Sequence, residues 1–81
     1  MMLTTDAALL RQIGLNVKAE RARRNLTQEG LARIAGLGPA QVARMERGEM
    51  DTGITKYLHV ARALGIDPAA LFHGMNNEST R

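Results

Sequence analysis

Within nine residues, Pro39-Ala40-Gln41-Val42-Ala43-Arg44-Met45-Glu46-Arg47, the chain places two guanidinium forks, a carboxylate and a side-chain amide. A guanidinium presents its N–H donors in a plane and pairs with flat acceptors: a carboxylate, a phosphate or the O6/N7 edge of guanine. An amide offers one acceptor and two donors, which suits a base edge, a phosphate or a free helix end. None of this is equipment for making or breaking covalent bonds. His59 and His73 stand fourteen apart, with no cysteine in the chain and no carboxylate at ligand spacing, so neither a metal site nor a cofactor is expected. No nucleophile stands beside a base. Gly36-x-Gly38 lacks the third glycine of a dinucleotide fingerprint, and Tyr57 and Phe72 are too few to form a stacking platform for single strands. The chemistry on offer is hydrogen bonding and charge, and the protein is expected not to be an enzyme.

Those side chains need an element to hold them. Thr27 can cap a helix from about Gln28 to Ala35, whose small apolar face is Leu31, Ala32 and Ala35, and Gly36 can stop it in a left-handed conformation. The turn Gly36-Leu37-Gly38 leads to Pro39, at the first helical position where the missing N–H costs nothing. A helix from Pro39 to about Arg47 then turns Val42 and Met45 inward with Leu37. Its other side carries Ala40, Gln41, Arg44 and Arg47. Two short amphipathic helices joined by a glycine turn, the second with a polar and positive outer face, make a helix-turn-helix, the element that reads duplex DNA through its major groove.

The remainder of the chain is expected to be scaffold. A first helix over about 6–24 buries Leu10, Ile13 and Val17, and Asn25 can end it. Gly14 inside it costs about 1 kcal/mol against alanine unless a second helix crosses close by. A fourth helix over about 54–64 should bury Ile54, Tyr57, Leu58, Ala61 and Leu64; a fifth, over 68–73, opens with Pro68 under an Asp67 cap. Residues 1–75 form one all-α domain on this reading, and 76–81 form a flexible polar tail. At 81 residues the chain buries only about 60% of its unfolded surface, which favours association. The net charge of +3 is modest, but Arg11, Lys18, Arg21, Arg23 and Arg24 face a single acid, Glu20, within one helix. No secretory leader or membrane-length apolar run is evident, so a cytoplasmic location is expected.

Thr27-Gln28-x-x-Leu31-Ala32, followed by Gly36-x-x-x-x-x-Val42-x-Arg44-Met45-Glu46-Arg47-Gly48, resembles the phage-repressor-type family of helix-turn-helix proteins, also called XRE or lambda-repressor-like. The likeness extends upstream through Ile13, Val17, Lys18, Arg21 and Leu26, and downstream from Tyr57 to Phe72, so that it covers roughly residues 10–73. It implies a compact five-helix fold and a homodimer on an inverted repeat of double-stranded DNA. Position by position it assigns Pro39, Ala40 and Arg44 to base reading with Gln41 beside them. Gln28 becomes a phosphate clamp, and Lys18, Arg21, Arg33 and Arg47 become further phosphate contacts. It also pairs Arg21 with Glu46 as a structural fork. Two departures stand out: Gly38-Pro39 where the family more often has a hydroxyl residue followed by a polar or basic one, and Gly30 where it commonly has a capping-box glutamate. On the last helix Leu71 is expected in the core, with Ala69, Phe72 and Met75 near the two-fold axis. The function implied is a transcriptional regulator of repressor or controller type; the alternative is an antitoxin-like module that binds a toxin or other protein, with DNA binding secondary.

Overall fold

The computed structural model describes residues 6–74. Four helices, α1 (Asp6–Arg23), α2 (Gln28–Ala35), α3 (Pro39–Glu46) and α4 (Ile54–Leu64), are followed by a 3₁₀ turn, Pro68–Phe72; no strand occurs among the described residues. The expected fifth α-helix is therefore corrected to this 3₁₀ turn. Asp67 does cap it, accepting from the Ala69 amide at 2.9 Å, and the Asp67 carbonyl accepts from Ala70 at 2.8 Å in the tighter i→i+3 pattern. The six residues between that cap and the left-handed Gly74 leave too little chain for α-helical bonding to propagate. The helix ends elsewhere fall within one residue of expectation. Asn25 takes a positive φ of 56°, and Thr27 Oγ1 accepts the Gly30 amide at 2.9 Å.

The core is drawn from every element: Ile13 and Val17 of α1, Leu31, Ala32 and Ala35 of α2, Val42 and Met45 of α3, Tyr57, Val60, Ala61 and Leu64 of α4, and Leu71 of the 3₁₀ turn. Leu71 is fully buried, as expected. On α4 the expected stripe needs correcting. Val60 lies fully inside, whereas Ile54 is 56% exposed and Leu58 41% exposed. At 3.6 residues per turn, Leu58 stands about 110° from the centre of a stripe running Tyr57–Val60–Ala61–Leu64, and Ile54 opens the helix beyond the edge of the core. Met50, in the loop before α4, is buried as well, and its carbonyl accepts the Tyr57 hydroxyl at 2.8 Å. Burial around that hydroxyl raises its pKa.

Two glycines let α1 lie flush against the end of α3. A Cβ on Gly14 would come within 2.5 Å of the carbonyl oxygens of both Met45 and Glu46. A Cβ on Gly48, whose φ is 74°, would lie 2.8 Å from the Arg11 Cα. These are backbone-to-backbone approaches, so no side-chain rotation relieves them. Further along, Asn16 Nδ2 donates to the Leu71 carbonyl at 2.8 Å and to the His73 carbonyl at 2.7 Å, which ties the 3₁₀ turn to the same helix.

This packing reverses the expectation from helix propensity. Gly14→Ala, favourable by about 1 kcal/mol in an isolated helix, should destabilise the protein by about 1–3 kcal/mol. Gly53→Ala, where a Cβ meets nothing within 4 Å, should stay within about 0.5 kcal/mol of the parent. Urea unfolding measures both, and an unchanged or raised midpoint for Gly14→Ala would refute the close crossing.

Candidate nucleic-acid interface

The orientation of α3 rests on a buried carboxylate. Glu46 accepts two bonds from Arg21, Nε to Oε2 at 2.6 Å and Nη2 to Oε1 at 3.0 Å, with the side chains 3% and 15% exposed respectively. The third guanidinium nitrogen, Nη1, donates to the Leu26 carbonyl at 2.7 Å. Gln28 Nε2 donates to Glu46 Oε1 at 3.1 Å. One network thus joins α1, the loop after it, the first turn of α2 and the last turn of α3. The hydrogen bonds to Glu46 raise the pKa of the Arg21 guanidinium further above its ordinary value.

The expected fork between Arg21 and Glu46 is therefore present, and its network engages two residues to which the sequence also assigned phosphates. All three nitrogens of Arg21 are engaged inside the protein, and of its five N–H groups only one on each Nη is left for a phosphate. Gln28 is half-buried with its amide turned to Glu46, so only its remaining N–H is available to an anion without rearrangement. Arg47 is exposed but paired with Glu49 at 3.0 Å. Arg23 and Arg24 share Glu20, at 2.6 and 2.7 Å, and that pairing, through Arg24 first, holds the Glu20 carboxyl below its usual range. Lys18 and Arg33 are exposed and make no hydrogen bond or ion pair among the described residues.

The outer face of α3 carries Pro39, Ala40 and Arg44, all exposed. Arg44 is likewise unpaired among the described residues, so its fork is open to an external acceptor. Gln41 differs from that expectation. It is half-buried, and its Oε1 accepts the Gly38 amide at 2.9 Å, while Gly38 has no side chain to cap the Gln41 amide in return. A glutamine three residues after the cap position is half of a capping box, so this bond was available to sequence reasoning and was overlooked. Arg33 and Pro39 meet across one cleft with Leu37 between α2 and α3. Of the residues assigned to self-association, Ala69 is exposed, Phe72 is half-buried against the core, and Met75 lies outside the described residues, as does the 76–81 tail.

The chain matches a protein family described as helix-turn-helix, HTH_3, over residues 17–71. Among solved structures, the restriction-modification controller protein C.AhdI from Aeromonas hydrophila superposes with a TM-score of 0.76 at 35% identity, over 78% of this chain and 96% of its own. An HTH_3 family transcriptional regulator from Vibrio cholerae gives 0.79 at 29% identity over 84% of this chain, which spans only 38% of that longer protein. The clp gene regulator ClgR from C. glutamicum gives 0.76 at 25% identity, over 79% of this chain and 82% of its own. No curated protein sequence matches the chain.

Removing one member of the buried fork strands its partner. Glu46→Ala and Arg21→Ala should each cost about 3 kcal/mol in chemical denaturation, and the double variant should cost markedly less than their sum. Additive losses would show that the two side chains do not depend on each other.

Proposed function

The chain belongs to the HTH_3 helix-turn-helix family, and from that premise we propose that it is a sequence-specific, double-stranded-DNA-binding transcriptional regulator of repressor or controller type. The observation that carries this reading is the exposed face of α3. An unpaired Arg44 stands beside Pro39 and Ala40 on a helix whose other side is locked to the core. In the major groove Arg44 gives two hydrogen bonds to guanine O6 and N7, while Ala40 and the Pro39 ring offer apolar contact to a thymine methyl. Lys18 and Arg33 contact phosphates. Gln28 adds its remaining amide N–H at the N-terminus of α2, where the helix dipole favours an anion, and Arg47 can exchange Glu49 for a phosphate. With so few base-reading side chains, the shape and deformability of the site contribute more of the discrimination.

The working form is a homodimer on an inverted repeat. A single domain covers only about 600–1,000 Å² of DNA, too little for tight specific binding. Ala69 and Phe72, with Met75, supply one part of the contact, and the exposed Ile54 and Leu58, one turn apart on α4, extend the apolar surface available to a second copy. C.AhdI, of which this chain covers 96%, is a restriction-modification controller protein, and a controller role for this chain follows that likeness. Action on DNA, no enzymatic activity and a cytoplasmic location complete the proposal. Among the described residues no helix is long and apolar enough to cross a membrane.

Selection from a random duplex pool should recover an inverted repeat whose half-sites lie about 34 Å apart. Arg44→Ala should lose about 1–3 kcal/mol on that site and relax one base position. Lys18→Ala should weaken all duplexes alike and lower the salt slope by about one. Weak binding with a shallow salt slope in the parent chain would replace this reading with the protein-interaction module.

A further inference from the structure

The hydrogen bond at the start of α3 determines which way the Gln41 amide points. The Gly38 amide N–H can be met only by an acceptor, so the atom 2.9 Å away is Oε1 and the other atom is the nitrogen. Nε2 has no acceptor among the described residues, and no unpartnered polar side-chain atom is buried there, so its N–H groups are open to solvent. They lie one helical turn before Arg44. Gln41 is thus both the cap of the helix and a donor at its start.

We propose that Gln41 is a specificity-determining residue that offers donors alone to the DNA. It selects a hydrogen-bond acceptor on a base edge, guanine O6/N7 or thymine O4. The two-bond pairing of glutamine with adenine requires amide oxygen and nitrogen together on the base edge. Here the oxygen is committed to the Gly38 N–H, and turning it to adenine uncaps the helix as it docks. Gln41 Oε1 is the one acceptor this N–H has among the described residues, and a side chain at position 38 would serve the Gln41 amide instead. The proposal rests on the DNA-reading role of α3.

Two substitutions in the full chain separate the two tasks. Gln41→Glu keeps an acceptor for the Gly38 amide and adds a charge that the helix dipole favours, but it has no donor to offer. Gln41→Ala loses both. The glutamate variant should melt at or above the parent temperature, and the alanine variant below it. On the duplex recovered by site selection, both should lose about tenfold in discrimination at one guanine or thymine position. A uniform loss on every duplex with discrimination unchanged is the mark of a phosphate contact and overturns the proposal. Recovery of adenine at a position whose preference vanishes in both variants overturns the proposal, as does an alanine variant as stable as the parent. If Arg44→Ala also leaves duplex binding untouched, the DNA-reading role itself falls and takes this inference with it.

Discussion

A carboxylate that is almost wholly removed from water must be matched by donors, and Glu46 finds three: two from Arg21 and one from Gln28. The two donor residues stand on α1 and α2, so satisfying this one group fixes how those helices meet α3. The Leu26 carbonyl, bound by the same guanidinium, brings the connecting loop into the arrangement. Most of what else the structure shows follows from holding α3 in that place. Its inner side places Val42 and Met45 in the core, and its outer side presents Pro39, Ala40 and Arg44.

The network also redistributes charge. A basic α1 suggests a broad cationic surface, yet Arg21 is spent internally and Arg23 and Arg24 lie against Glu20. The cations without a hydrogen-bond or ion-pair partner among the described residues are Arg11, Lys18, Arg33, Arg44, Lys56 and Arg62, spread over four helices. On the proposed reading, charge is thus dispersed over the molecule and sequence discrimination falls to the geometry of α3.

Much of this was legible in the sequence for identifiable reasons. Caps and terminators are local, so Thr27, Asn25, Gly36 and Asp67 announced the helix ends. The fork between Arg21 and Glu46 was legible only through resemblance, since nothing in a spacing of twenty-five residues implies contact. What could not be seen was rotational phase and side-chain diversion. On α4 the apolar residues Ile54, Leu58 and Val60 admit more than one stripe, and tertiary packing, not periodicity, chose the one containing Val60. Gln28 and Gln41 were placed correctly on their helices, but an amide serves a protein partner and a nucleic acid equally well, and both turned first to protein. The last helix failed as an α-helix because it is too short to repay its own nucleation.

Asn16 gives the molecule a mechanical property. By holding the carbonyls of Leu71 and His73, it makes α1 a strut that runs from the carboxyl end of the 3₁₀ turn to the backbone of α3, with glycine contacts in place of compressible side chains. In a two-fold assembly joined near that turn, the reading helices are not independently hinged. One base pair added between half-sites turns the second by about 35° around the duplex axis. A strut built this way has little slack to follow, so on the proposed two-fold assembly the spacing of the two halves becomes part of the recognition itself.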